Sequence, residues 1–258
     1  MYGERRTGQT CERRTGRFMM DDQTVRRLNA INRDFYRRVA EDFDTTRGRP
    51  WPGWRRLLPY LPKAPEPLRV LDAGCGNGRL GMFLASALRQ RIAYTGVDNN
   101  PALLARARET LVSPKLLSVE LLEADLLNDT LPPGPYDLIG LFGVLHHIPA
   151  FERRQTLMRQ LSARLAPGGV LAFACWRFYE YERFRERIVP WPAGLRVEPG
   201  DYLLDWRRGA RTLRYCHYID DAEHDALVAA SGLAHVTSYR ADGHEGDANL
   251  YTVLRRER

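Results

Sequence analysis

Apolar positions along this chain follow two periods in turn. Between Asp21 and Phe43 they recur at three- and four-residue steps: Val25, Leu28, Ile31, Phe35, Val39 and Phe43. That spacing puts them on one face of a helix, with Asp21 or Asp22 as its cap. The run 45–54 carries Gly48, Pro50, Pro52 and Gly53 and breaks the helix. Trp54, Leu57, Leu58 and Leu61 predict a second, short helix, and 63–67 reads as a linker. From Leu68 the period changes. Short apolar runs at 68–72, 92–98, 116–122, 136–142 and 170–176 predict strands, and helical patterns lie between them. Such alternation predicts an α/β, doubly wound, Rossmann-like fold with a mostly parallel sheet. Residues 178–212 show no period and are rich in aromatics, Arg and Pro, which reads as an irregular insertion over the site. Beyond it come a short strand at 213–219, a helix at 221–231 stopped by Gly232, and a C-terminal antiparallel strand pair at 236–240 and 250–254. The chain therefore divides into a disordered basic arm (1–18), an N-terminal helical cap (19–67) and a main domain (68–258).

The first predicted strand ends at Asp72, and Gly74, Gly76 and Gly78 follow at every second position before the helical pattern of Leu80, Phe83 and Leu84. A glycine turn at a strand–helix junction lets backbone approach a ligand closely. Two cofactors compete for it. The stretch 76–81 matches the spacing of a dinucleotide site, with Asp98 at a suitable distance. An acid at the start of the turn, however, repels a pyrophosphate and suits a ligand amine. The pattern D-x-G-x-G-x-G resembles motif I of class I S-adenosylmethionine (SAM) methyltransferases, and SAM carries an ammonium, a ribose diol and no phosphate. On this reading Asp98 accepts the ribose hydroxyls, Asp125 accepts the adenine amino group, and Leu126 lies against the ring. Asp72, Asp98, Asp125 and Phe142 all fall at predicted strand ends, where ligands of such sheets bind. Asn77 and Asn99 complete the expected cofactor set with the three glycines.

Composition narrows the setting. The formal net charge is +7, and the first 60 residues hold 14 Arg against 8 acidic residues. That excess is either a footprint for RNA or another polyanion, or a solvated arm. Cys11, Cys75, Cys175 and Cys216 are scattered without a CxxC pair, so spacing predicts neither a metal site nor a disulfide framework. No apolar run approaches the ~18 residues of a membrane span, and a cytoplasmic, reducing compartment is expected.

Further stretches resemble one family, the enzymes that methylate carboxymethyluridine at the tRNA wobble position to form a methyl ester. They are 39–43 with Thr46-Arg47-Gly48-Arg49-Pro50-Trp51-Pro52, the segment 144–148, Arg153-Arg154, Pro167-Gly168-Gly169, Cys175-Trp176, Val189-Pro190-Trp191 and Leu213-Arg214-Tyr215-Cys216-His217. The resemblance implies SAM as cofactor, tRNA as partner, and a small zinc-binding activator protein, with which the eukaryotic members work. It also implies a carboxylate acceptor oriented by Arg47 and Arg214, with Arg47 alternatively holding the carboxylate of SAM. Trp51 either stacks on a base or packs under the helical cap, and Tyr215 joins it on the substrate side. Tyr36 is expected to close over SAM. His146 and His147 follow the fourth strand and point toward the methyl group, with His146 and His217 as the catalytic candidates. The alternative function is methylation of a small carboxylic acid or phenol on the same fold.

Overall fold

The structure is a computed structural model that describes residues 19–46, 49–63, 66–206 and 212–258, the backbone alone over 40–46. The basic stretch 1–18, Arg47 and residues 207–211 lie outside the described residues. Helix α1 (Asp22–Thr46) starts as expected: the Asp21 carboxylate accepts the Thr24 amide (2.8 Å) and its hydroxyl (2.9 Å). Its apolar stripe, Val25, Leu28, Phe35 and Val39, is buried. A short α2 (Pro52–Leu57) follows, with Trp54 and Leu57 buried.

The main sheet is built from β1 (Leu68–Ala73), β2 (Ile92–Asp98), β3 (Leu116–Glu123), β4 (Tyr136–Phe142) and β5 (Leu165–Trp176). Helices α3 (Arg79–Ala87), α4 (Pro101–Thr110) and α5 (Phe151–Ala163) connect them. After the insertion come α7 (Asp221–Ser231), β9 (Ala234–Ala241) and β10 (Asn249–Arg255). Strand order is β3-β2-β1-β4-β5-β10-β9. β1 pairs in parallel with both β2 and β4, whereas β10 runs antiparallel between β5 and β9. The order reverses between β1 and β4, which opens a crevice beyond their carboxyl ends. Alternation along β1 feeds two cores. Val70 packs with Leu80, Leu84 and Trp54 on one face, and Leu71 packs with Ile139, Leu157 and Leu161 on the other.

The insertion is more ordered than its composition predicts. It carries α6 (Glu182–Arg185), β6 (Ile188–Val189) and β7 (Asp201–Trp206), and β8 (Thr212–His217) completes a separate antiparallel sheet of order β6-β7-β8. The predicted strand at 213–219 therefore pairs with the insertion rather than with the main sheet. Period 2 is hidden there because both faces of β8 are buried from Arg214 onward.

Behind β8 lies a buried charged network. The Arg154 guanidinium, with no exposed surface, donates through Nε to Glu223 (2.5 Å), through Nη2 to Glu198 (2.6 Å) and through Nη1 to the Ile148 carbonyl (2.8 Å). His217 stands between Asp201 (2.8 Å from Nδ1) and Glu223 (2.7 Å from Nε2). The Tyr215 hydroxyl donates to Asp201 at 2.8 Å. Burial and Arg154 both push the His217 pKa down, but hydrogen bonds to the two carboxylates outweigh them and the net shift is upward. Burial also pushes Glu223 up, and His217 and Arg154 more than reverse this.

Candidate active site

The glycine turn is held from two sides. The amides of Gly74 and Cys75 both donate to the Val97 carbonyl (2.7 and 2.9 Å), which fixes the end of β1 on β2. One turn later the Gly76 amide donates to Asp98 Oδ2 (2.8 Å), while the Asn100 amide donates to Asp98 Oδ1 (2.9 Å). Gly74, Gly76 and Gly78 all have positive φ, at 81°, 54° and 80°. At Gly74 a Cβ would stand 2.3 Å from Cγ2 of Val144, whereas at Gly76 it would meet nothing within 4 Å. The open space over Gly76 is the floor of a pocket. Substituting Gly74→Ala combines left-handed strain with a clash against the β4 loop. We expect it to lower the melting temperature and weaken ligand binding at the turn, and calorimetry with a titrated ligand measures both.

Asp72, Asp98 and Asp125 project from the ends of β1, β2 and β3 into this one pocket, with Phe142 from β4. Asp72 is fully buried, and the Tyr94 hydroxyl donates to it at 2.7 Å. Burial pushes its pKa up to about 7; Tyr94 counters this and Asp98 adds to it. Asp98 is likewise raised by burial. Asp125 carries several contacts from within the chain that the sequence did not announce. Oδ2 already accepts Asn29 Nδ2 (2.8 Å), the Arg33 guanidinium and Asn128 Nδ2 (3.0 Å), and Oδ1 accepts the Leu127 amide (2.9 Å). Through Asn29 and Arg33, α1 packs over this strand end.

That helix forms the upper wall. Asn29, Asn32, Arg33 and Tyr36 all line the pocket. Of these only Tyr36 was anticipated from the sequence. The available signal was polar residues on the inner face of the predicted helix: Asn29 and Asn32 are buried among its apolar positions. Trp51 lines the pocket and also stacks on Trp54, ring centroids 5.6 Å apart at 22°, with Arg79 above it at 5.7 Å. Both roles considered for it, packing and facing the ligand, are thus compatible. Gly74, Gly76, Asn77, Asn99 and Leu126 line the same cavity. Gly78 serves as the left-handed residue opening α3.

The acceptor side departs more from expectation. A 3-10 turn, Leu145–His147, presents His147 to the pocket and buries His146 behind it against Trp176 (centroids 5.3 Å). His147 Nε2 lies 2.6 Å from the Tyr36 hydroxyl, and Nδ1 lies 3.1 Å from the Tyr215 carbonyl. Arg214 is buried among aromatic rings, its guanidinium carbon 4.7 Å from the centroid of Trp176, 5.2 Å from Phe35 and 5.8 Å from Trp206. Its Nε is buried with no hydrogen-bond partner, and no carboxylate pairs with it among the described residues. Tyr215 and His217, expected at the site, are not brought there. They sit in the Asp201–Glu223 network, because strand alternation points them away from the face that carries Arg214 and Cys216.

Residues 71–171, the floor of this pocket, match a family described as a methyltransferase domain. A tRNA (carboxymethyluridine(34)-5-O)-methyltransferase of Saccharomyces cerevisiae is 30% identical over 60% of this chain and 54% of its own length. The chain thus spans about half of that relative, and only 22% of a mouse relative of the same activity name. A trans-aconitate 2-methyltransferase of Azoarcus sp. is 27% identical over 73% of this chain and 86% of its length. A protein of Encephalitozoon cuniculi named as a methyltransferase is 30% identical over 77% of this chain and 84% of its own length. Among solved structures, a SAM-dependent methyltransferase from Methanosarcina mazei superposes with a TM-score of 0.62 at 18% identity, covering 81% of this chain and 98% of that one. The strand order, the crevice at its reversal and these relatives agree: the chain belongs to the methyltransferase family and has the class I SAM-methyltransferase fold.

Proposed function

We propose that this chain is a SAM-dependent methyltransferase whose acceptor is a carboxylate, that of a carboxymethylated wobble uridine in tRNA. The donor set fits SAM. Two acids, buried Asp72 and half-buried Asp98, face a cavity whose floor at Gly76 has room for a ligand, and Asp72 is raised to about 7 by burial. Such a carboxylate is stabilised by a bound cation. Asp72 holds the ligand ammonium. Asp98 keeps lone pairs for the ribose hydroxyls beside its two backbone donors. Phe142, Leu126 and Trp51 supply apolar and stacking surface. Asp125 contributes by fixing Asn29 and Arg33 of the helical cap 19–67 over the site on domain 68–258. SAM, when bound, supplies a methyl group carried on a sulfonium.

The observation that carries the acceptor class is Arg214, a buried guanidinium boxed by three rings with no carboxylate beside it among the described residues. An unpaired buried charge is costly, and an anionic acceptor would compensate it. A carboxylate is already ionised at neutral pH. It needs orientation more than a base, and a guanidinium fork provides that better than an ammonium. The relatives support this class from two sides. Carboxymethyluridine bears a carboxylate, and every heteroatom of trans-aconitate is a carboxylate oxygen. The tRNA reading draws on the yeast and mouse relatives. Arg47, outside the described residues, is proposed as a second cation for the acceptor or for SAM, and Trp51 as a surface for a base.

The deciding experiment is transfer of labelled methyl from SAM to tRNA from a strain lacking this activity, followed by mild alkali. Label entering tRNA and leaving as methanol is the expected result. An RNase-resistant, small-molecule product would replace tRNA with a small carboxylic acid. Activity gained only with cell extract would point to the activator protein. In the same assay Arg214→Met is expected to lower kcat/KM by about 100-fold or more with SAM affinity unchanged. Equal losses in both quantities would assign Arg214 to folding instead.

A further inference from the structure

We propose that His146, His147 and Cys216 form a metal centre for a divalent ion that prefers nitrogen and sulfur ligands, Zn2+ by chemistry. Their spacing in sequence carries no such signal, since Cys216 lies in another sheet from the histidine pair. The fold assembles them. Consecutive side chains normally diverge, but the tight 3-10 turn after β4 brings the two imidazole rings to 4.0 Å between centroids. β8 then runs past this turn with Cys216 facing it. A ring nitrogen of each histidine and the Cys216 sulfur all lie within 4.8 Å of one another. Tetrahedral coordination with metal–sulfur bonds of about 2.3 Å and metal–nitrogen bonds of about 2.0 Å needs donors about 3.3–3.5 Å apart. Small side-chain rotations close that difference.

Outer contacts suit the purpose. Nδ1 of His147 lies 3.1 Å from the Tyr215 carbonyl, the kind of partner that orients a metal-bound imidazole through its other nitrogen. The Tyr36 hydroxyl lies 2.6 Å from Nε2 of His147, so a metal on that nitrogen would take the place of this hydrogen bond. The other compact group, Glu198, Asp201 and His217, differs in kind. There the Arg154 guanidinium already supplies the cation for the carboxylates. His147 and Tyr36 also line the cofactor pocket, so an ion at this centre would join α1, the β4 turn and the insertion sheet at the edge of the acceptor space. The inference concerns a site distinct from the acidic floor and does not depend on the identity of the acceptor.

The test uses the full chain, reduced and stripped with a chelator, then titrated with Co2+ as the spectroscopic probe. The expected result is one Co2+ per chain with a near-ultraviolet thiolate-to-cobalt charge-transfer band and the visible bands of tetrahedral coordination. The band should vanish in Cys216→Ser and survive in Cys11→Ser and Cys175→Ser. Zn2+ should bleach it by competition. His147→Gln provides a second variant should Cys216→Ser fail to fold, and it too should lose the band while melting cooperatively. No charge-transfer band at saturating Co2+, or a band that persists in folded Cys216→Ser, overturns the proposal.

Discussion

Asp72→Asn is expected to make the ligand-free protein more stable at pH 8 while removing most of its affinity for SAM. The side chain is fully buried and its pKa is held at about 7, against an ordinary value of 3.8, chiefly by burial. A carboxyl whose folded pKa is raised keeps its proton in the native state after the unfolded chain has lost it. Stability is therefore undiminished by this group below pH ~4 and falls as pH rises toward 7. A shift of about three units corresponds to at most about 4 kcal/mol. Asparagine carries no charge to desolvate, and its amide oxygen can still accept from the Tyr94 hydroxyl, so the neutral variant escapes that cost. With the carboxylate gone, the ligand ammonium has no buried counter-charge, and losses of about 100-fold or more in affinity follow from the usual effect of breaking a buried pair. Scanning calorimetry at pH 5 and pH 8 with titration of SAM measures both arms. A variant less stable than the parent at pH 8, yet still binding SAM, would show that Asp72 is a packing residue.

Arg154→Met is expected to be the most damaging single substitution for folding, at about 3–5 kcal/mol, or roughly 10 °C in melting temperature. The guanidinium has no exposed surface, and its removal leaves Glu198 and Glu223 facing each other and Asp201 across His217. The pH dependence of this variant separates the network from a simple cavity. His217 has a raised pKa, so its contribution is fully present below the unfolded value of about 6.5 and is lost as pH rises through the folded value. Without Arg154 the imidazolium is the only cation left among three carboxylates, and the variant should lose stability with pH more steeply than the parent. A parallel pair of curves would mean that Arg154 acts through packing alone. Asp72 and His217 act in the same direction in the parent protein, and Asp72→Asn isolates the His217 share.

Much of the framework was legible because local rules and tertiary packing agree there. Residues 92–98, 136–142 and 221–231 form the elements that their apolar runs and caps predict. The glycine turn was legible because its acid, its three glycines and the following helix are one local unit. The acceptor side was not. Whether Arg214 or Tyr215 turns toward the rings of Phe35 and Trp176 depends on which neighbour covers each face of β8, and burial of both faces erases the alternation that would tell them apart. His146 and His147 are equivalent in sequence, and only the pitch of a 3-10 turn selects His147. Asp125 has its usual place at a strand end, but Asn29 and Arg33 stand 96 and 92 residues earlier in the chain, with nothing local to announce them. The insertion reads as irregular because its strands are short and their pairing partners lie outside the main sheet.

The pocket has a floor and a wall drawn from separate pieces of chain. The glycine turn, Asp72 and Asp98 lie within 71–171, the part shared with methyltransferase domains at large, whereas Asn29, Asn32, Arg33 and Tyr36 come from a helix outside it. Floor and wall are therefore heritable independently. Recombination or drift in the first fifty residues can reshape the wall while the acidic floor stays intact, and two proteins alike over the floor need share no wall.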